Sequence, residues 1–282
     1  MNSEFLPPGE GSDYEAGFAP ERPPEYPREI QEDIQTPWGW PDLLLLVLVT
    51  LLFAFVIGGL VTMVFLAHGV TRAQLSGSER EKSLLILTLQ PLLYGAILGY
   101  LYLRVISVGR RPFWKTMGWR ALHGISVPRA YLYLGSLIAG GGLCFLVTLA
   151  SQAYGTKAKL PIEQFFQDRE TALLFVLLAV LVAPLVEETI FRGYIYPVIA
   201  RSFGITAGVV ITGIAFGLMH EQQLAGGWVQ IGLLIVVGIV LTYARARSRT
   251  VVASYLMHLG YNSFIALAFL LSPQGYRSLP WR

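Results

Sequence analysis

Long apolar runs separated by short polar segments make up most of the chain from about residue 42 onward. A helix needs roughly 20 apolar residues to cross the hydrocarbon core of a bilayer, and a helix also satisfies its own backbone polar groups there. So many runs of this length favour membrane helices over the core of a soluble protein. The runs predict seven spans, at residues 42–67, 83–103, 130–152, 171–201, 205–220, 228–246 and 250–271.

The fourth predicted span, 171–201, is longer than one crossing requires. Pro184 lies inside it, and a proline removes a backbone donor and can kink a helix. If the span consists of two pieces, the count rises to eight. The expected fold class is therefore all-α, a polytopic transmembrane helical bundle of seven to eight spans.

The first 40 residues differ from the rest, because they are rich in Pro, Glu and Asp ("PPGEGSDYEAGFAPERPPEYPREIQED"). Such a segment buries too little apolar surface to order itself, so we expect a disordered tail. It lacks the basic start and apolar core of a signal peptide, so the first membrane helix is expected to be retained. The pattern divides the chain into four parts: a tail at 1–40, N-terminal membrane helices at 41–159, a second membrane region at 160–271, and a C-terminal tail at 272–282.

Composition supports a membrane protein and argues against a nucleic-acid partner. The chain is 54% hydrophobic and 14% charged, whereas soluble domains are about 25% charged. Its net charge is only +3, without a basic patch interleaved with aromatic residues. With the N-terminus inside, twelve Lys and Arg residues fall in inside segments and eight in outside segments, which predicts a cytoplasmic N-terminus.

Small residues also recur in the spans. Because glycine lacks a side chain, it lets two helix backbones approach closely in a membrane. The "GGG" run at 140–142 and the pair Gly58 and Gly59 therefore predict sites of close helix packing.

The first polar motif inside a span is "EETIFR", with Glu187, Glu188 and Arg192. A charge near the bilayer centre costs about 2.5–3.5 kcal/mol on insertion scales, so such residues usually serve a function. Glu188 and Arg192 are four residues apart and share a helix face, whereas Glu187 lies about 100° around from Glu188 and has no intrahelical partner. A carboxylate removed from water is a better proton acceptor, which suits a general base. The alternative for Glu188 and Arg192 is an ion pair that only joins helices.

Two further polar motifs follow in later spans. In "HLGYN", His258 and Asn262 share a helix face and could both donate to a developing oxyanion. Either residue alone would more ordinarily form an interhelical hydrogen bond. His220 ends "FGLMH", and the residues around it leave three roles open: a base, a metal ligand or an interface histidine.

In this order the three motifs resemble the signature motifs of the CPBP family of intramembrane proteases. That family contains type II CAAX prenyl endopeptidases and bacterial immunity-type (ABI) homologues. The resemblance covers about residues 160–270, which makes this region the expected CPBP-type catalytic core. It implies an intramembrane endopeptidase that hydrolyses a peptide bond with activated water.

The resemblance also implies a role for each matching residue. Glu187 matches the glutamate that activates the attacking water, and His220 matches the histidine that works with it. His258 and Asn262 match the pair proposed to hold the oxyanion. Glu188 and Arg192 match the remaining charged positions of the first motif.

Dependence on a metal stays open at this stage. Glu187, His220 and His258 form a ligand set that suits catalytic Zn²⁺ with a fourth position for water, and members of the family have been described as metalloproteases on that basis. The chain lacks the HExxH motif of common zinc proteases. The sequence therefore slightly favours a metal-free scheme in which Glu187 and His220 polarise the water directly.

The expected substrate is a membrane-associated protein or peptide, lipidated ones included, and the expected location is multi-pass in a membrane (the cell membrane in a bacterial host). Two other functions remain open. One is a non-catalytic membrane scaffold or bacteriocin-immunity protein. The other is a transporter, which also places carboxylates and histidines in the membrane but often shows repeated halves; no such repeat is visible in the sequence.

Overall fold

The computed structural model of the protein describes residues 33–109, 111–124, 127–154, 165–166, 169–224 and 227–271. Within these ranges the regular structure is entirely helical, and six helices are long and apolar enough to cross a membrane. The all-α transmembrane class is therefore confirmed. The C-terminal tail predicted at 272–282 lies outside the described residues, as do residues 1–32 of the predicted N-terminal tail.

Apart from a 3₁₀ turn at Glu221–Gln223, nine helical segments with defined bounds follow one another along the described part of the chain. The six long ones agree with six of the predicted spans to within a few residues, as their bounds show. The segments are α1 (Trp40–Ala67), α2 (Arg72–Gly77), α3 (Glu79–Gly109), α4 (Phe113–Thr116), α5 (Arg129–Ala153), α6 (Arg169–Phe203), α7 (Ile205–Leu218), α8 (Trp228–Ser248) and α9 (Val251–Leu271).

The fifth predicted span, 205–220, is shorter than expected. Its helix α7 has 14 residues, and at 1.5 Å per residue it reaches only about 21 Å, less than the hydrocarbon core of about 30 Å. It packs along α8 instead, and a Cβ on Gly213 would lie 2.5 Å from the backbone nitrogen of Ile239. The helix is therefore a short partner of α8 rather than an independent crossing.

The fourth predicted span is one continuous helical segment of 35 residues, α6, and it is not divided into two spans. Pro184 is accommodated because the helix widens into π-helical turns on either side of it, where each N–H bonds to the carbonyl five residues back. The segment alternates between α-helical stretches (Arg169–Leu177, Ala183–Glu188 and Tyr196–Phe203) and π-helical stretches (Leu178–Val182 and Thr189–Ile195).

Helices α5 and α9 meet at a glycine. A Cβ on Gly140 would lie 1.8 Å from the carbonyl oxygen of Met257, so the two backbones are in direct contact beside His258. This confirms the prediction of close packing for Gly140. The same prediction for Gly58 and Gly59 is wrong, because nothing lies within 4 Å of a Cβ at either position.

The last part of the predicted disordered tail is packed against the bundle. The ring of Trp38 is 3% exposed, stacks on Tyr194 at 4.7 Å and donates from Nε1 to the Tyr194 carbonyl at 3.0 Å. Asp33 forms an ion pair with Arg245 at 2.5 Å. Aromatic and charged side chains that precede α1 therefore find partners on α6 and α8.

Candidate functional site

Glu187 lies in the middle α-helical stretch of α6, and its partners belong to other helices. Tyr94 on α3 donates from its hydroxyl to Glu187 Oε1 at 2.7 Å. On α9, His258 Nε2 lies 3.9 Å from Glu187 Oε2. The Glu187 side chain is 13% exposed, so this carboxylate is largely buried between three helices, on a different face from Arg192 as helix geometry predicts.

Glu188 and Arg192 form the predicted ion pair at 2.7 Å, and both side chains are fully buried. The guanidinium of Arg192 also donates to the Gly238 carbonyl at 2.9 Å and to Thr242 Oγ1 at 3.2 Å, both on α8. Its central carbon lies 4.5 Å from the centroid of the Phe216 ring on α7, within cation–π range. The pair therefore joins α6 to α7 and α8. This arrangement is the one expected of an ion pair whose role is to join helices.

His258 connects the two glutamates. Its Nδ1 lies 3.0 Å from Glu188 Oε1, and because an ionised carboxylate only accepts hydrogen bonds, Nδ1 carries the proton. The other nitrogen, Nε2, faces Glu187. In a neutral His258 this Nε2 holds a lone pair, so it can donate to an oxyanion only when the ring is protonated at both nitrogens.

His220 lies just beyond α7 and is oriented in a similar way. Its Nδ1 is 2.9 Å from the carbonyl oxygen of Phe216, so Nδ1 donates and Nε2 is the nitrogen left for other partners. The Phe216 ring contacts both imidazoles, at 4.9 Å from His220 and 5.5 Å from His258 between ring centroids. One aromatic ring thus packs against both histidines.

Asn262 donates from Nδ2 to the carbonyl of Ala179 at 2.7 Å, in the first π-helical stretch of α6. In that register the N–H of Ala183 donates to the carbonyl of Leu178. The next carbonyl, on Ala179, would accept in the same way from the N–H of residue 184. Residue 184 is a proline and has no N–H. Asn262 therefore supplies the donor that Pro184 lacks, and its second N–H remains for another acceptor.

Four of the six predicted site residues line one cavity of about 420 Å³: Glu187, His220, His258 and Asn262. Glu188 and Arg192 do not line it. Most of the wall is apolar, and the other polar side chains on it are neutral. These are Gln90, Thr148, Ser151, Gln152, Gln223, Gln230 and Tyr261. The volume falls within the roughly 300–1,000 Å³ of typical ligand pockets.

The three candidate zinc ligands, Glu187, His220 and His258, suit a metal ion in their chemistry but not in their arrangement. The donor chemistry is suitable, because the Nδ1 atoms of His220 and His258 both bond to oxygen acceptors, as in many zinc sites. Their arrangement is not, since no three His, Cys, Asp or Glu side chains within the described ranges are grouped closely enough to hold a metal ion. In this arrangement Glu187, His220 and His258 do not fit a three-ligand metal site.

The sequence motifs did not identify Tyr94, Gln90 or Thr242. Gln90 donates from Nε2 to the Tyr94 hydroxyl at 3.1 Å, and Tyr94 in turn contacts Glu187. The segment "LQPLLYG" does contain a polar pair, since Gln90 and Tyr94 are four residues apart and share one helix face inside an apolar span. Sequence alone could not show that this face meets α6.

The family model described as type II CAAX prenyl endopeptidase Rce1-like matches residues 169–264 of the 282-residue chain. The matched region spans α6, α7, α8 and most of α9, and so contains all six predicted site residues. It does not include α3 or α5, which complete the wall of the cavity. No curated protein matches the chain, and no solved structure matches it.

Proposed function

Because residues 169–264 form a domain of the type II CAAX prenyl endopeptidase Rce1-like family, we propose that the protein is an intramembrane endopeptidase whose nucleophile is a water activated by Glu187. One observation carries the proposal. Glu187 Oε2 and His258 Nε2 face each other at 3.9 Å on the wall of a largely apolar cavity. That separation is too long for a direct hydrogen bond and is a distance that one bridging water can span.

In the proposed reaction, Glu187 Oε2 takes a proton from the water as the water oxygen attacks the carbonyl carbon of the peptide bond. The carbonyl π electrons move to the oxygen and form a tetrahedral oxyanion. The oxyanion then re-forms the C=O bond as the C–N bond breaks, the C–N electron pair leaves with the nitrogen, and the proton held by Glu187 passes to that nitrogen. The products are a new carboxyl group and a new amine, without an acyl-enzyme.

The other site residues support this step. His220 accepts a hydrogen bond from the water through Nε2, which its Nδ1 contact with Phe216 leaves unprotonated in the neutral ring. The second N–H of Asn262 and, in the protonated ring, Nε2–H of His258 donate to the oxyanion. Glu188 and Arg192 act indirectly, through His258: Glu188 orients the His258 ring, and Arg192 balances the charge of Glu188.

The proposed mechanism uses no metal. Elemental analysis of the purified protein tests this point directly, with His220→Ala as the matched variant. We expect no stoichiometric zinc in the parent protein. Stoichiometric zinc in the parent that is lost from His220→Ala would overturn the metal-free mechanism.

The proposed substrate is a membrane-associated protein or peptide, because the apolar cavity lies inside a bundle of membrane helices. A lipidated segment fits the same apolar wall. We also propose a cytoplasmic N-terminus: when α7 is not counted as a crossing, eleven Lys and Arg residues fall in inside segments and nine in outside segments, which keeps the predicted orientation with a smaller bias. A cysteine introduced at Ser76 should then react with an impermeant maleimide in intact cells, and labelling only after permeabilisation would reverse the orientation.

Peptide termini in membrane fractions distinguish the competing functions. The comparison uses three strains: one with the parent protein, one with its gene deleted, and one with the Glu187→Gln variant. Termini found with the parent and missing from both other strains support the protease. Identical termini in all three strains contradict it, and loss of proton-coupled flux in Glu187→Gln cells would then identify a transporter, whereas complementation by this variant would identify a scaffold.

A further inference from the structure

Tyr94 lies on α3, outside the matched region 169–264, yet its hydroxyl makes the closest described contact to Glu187, at 2.7 Å. We propose that Tyr94 is a positioning residue that holds the Glu187 carboxylate in its reactive orientation, so that the site is completed by a helix beyond the family domain. This inference rests on the proposed role of Glu187 as the base.

The hydrogen bonds around Tyr94 run in one direction. Gln90 donates from Nε2 to the Tyr94 hydroxyl oxygen at 3.1 Å. A phenol has one proton to donate, and the carboxylate of Glu187 can only accept. With Gln90 donating to the phenol oxygen, the Tyr94 proton is directed to Glu187 Oε1, which gives a chain Gln90→Tyr94→Glu187.

This chain assigns different tasks to the two oxygens of Glu187. Oε1 is held by Tyr94 on α3, and Oε2 faces His258 on α9. A carboxylate held at one oxygen cannot turn freely about its last bond. Tyr94 therefore determines that Oε2 is the oxygen that meets the water, while Tyr94 itself is not among the residues that line the cavity.

The test compares Tyr94→Phe with Tyr100→Phe. Tyr100 lies on the same helix, and its hydroxyl has no hydrogen-bond partner among the described residues, so it is a matched control. A hydrogen bond to a charged group contributes enough that Tyr94→Phe should lower kcat roughly 10- to 100-fold, with KM nearly unchanged. Tyr100→Phe should stay within about twofold of the parent, as expected when no hydrogen bond is lost.

Repeating the Tyr94→Phe substitution in a Glu187→Asp variant distinguishes a residue that positions the carboxylate from one that only stabilises the fold. Glu187→Asp withdraws the carboxylate from Tyr94 by one methylene, so adding Tyr94→Phe to it should produce little further loss of kcat. Thermal unfolding of each variant in detergent shows whether it is folded. An equal loss of kcat on both backgrounds, or no loss from Tyr94→Phe in the parent, would overturn the proposal.

An infrared measurement keeps this result separate from the proposed function. The carboxylate band that disappears in Glu187→Gln should shift in Tyr94→Phe and stay in place in Tyr100→Phe. An unshifted band contradicts the hydrogen bond itself. If the band shifts but the parent cleaves no membrane protein, the proposed function has failed, and the positioning role fails with it while the contact stands.

Discussion

The side chains of Glu187 and Glu188 reach different neighbours although their backbones are adjacent. A rotation of about 100° per residue turns Glu188 toward Arg192 and His258, and Glu187 toward the cavity. This division could be predicted from sequence because it depends only on local helix geometry. The contact with Tyr94 could not, since it joins residues 93 positions apart and depends on how α3 packs against α6.

Asn262 also shows what a motif leaves out at the level of single residues. The sequence suggested an oxyanion donor, and the structure adds a hydrogen bond to the Ala179 carbonyl, which Pro184 leaves without its regular partner. The prediction of a shared cavity and the structural hydrogen bond are compatible, because the amide of Asn262 has two N–H groups.

This interpretation predicts a specific rescue. Asn262→Leu should lower the free energy of unfolding by about 1 kcal/mol, a typical value for one hydrogen bond. In Pro184→Ala the backbone regains an N–H for the π-helical turn, so Asn262→Leu should cost much less on that background. Reversible unfolding in mixed micelles measures both differences. Equal losses on the two backgrounds would show that the Ala179 carbonyl is not the partner that matters.

At the scale of helices, the long apolar runs located six of the segments well, because length and hydropathy alone determine where a helix can cross. They missed the shortness of α7, whose 14 residues pack along α8. They also missed the π-helical turns in α6, since a π turn differs from an α turn by one inserted residue and leaves little trace in composition.

The contact between α5 and α9 predicts that alanine destabilises the protein at Gly140 but not at Gly142, two residues away. Gly140→Ala places a methyl group against the Met257 carbonyl, 1.8 Å from the new Cβ, and should destabilise the protein by about 1–3 kcal/mol and displace His258. Gly142→Ala meets nothing within 4 Å and should be neutral or slightly stabilising. Unfolding and cleavage assays on both variants check this. Similar behaviour of the two variants would contradict the close contact.

The ion pair that joins α6 to α8 predicts that removing Arg192 alone costs more stability than removing both charges of the pair. Arg192→Met leaves Glu188 buried without its cation and should cost about 3–5 kcal/mol. Adding Glu188→Gln should recover part of that loss, because the uncompensated charge is gone. Lys82→Met removes the exposed pair with Glu79 and should cost under about 1 kcal/mol. Denaturation of the four proteins tests the account, and a mild effect of Arg192→Met alone would oppose it.

At the scale of the whole molecule, the cavity is composed of two parts of the chain. The region that the family model matches supplies Glu187, His220, His258 and Asn262, while α3 and α5 supply further wall residues. The three motifs indicated the first part, because each is short and local. The second part required the packed bundle, in which helices far apart in sequence enclose one space.

The most direct test of the central claim is the cleavage rate of purified protein in vesicles, measured on a membrane protein whose new termini depend on the parent. Glu187→Gln keeps the size of the side chain and removes the base, so the rate should fall roughly 100- to 10,000-fold. Glu79→Gln, an equal change at an exposed glutamate, should leave the rate unchanged. A Glu187→Gln rate close to that of the parent would contradict the claim that Glu187 activates the water.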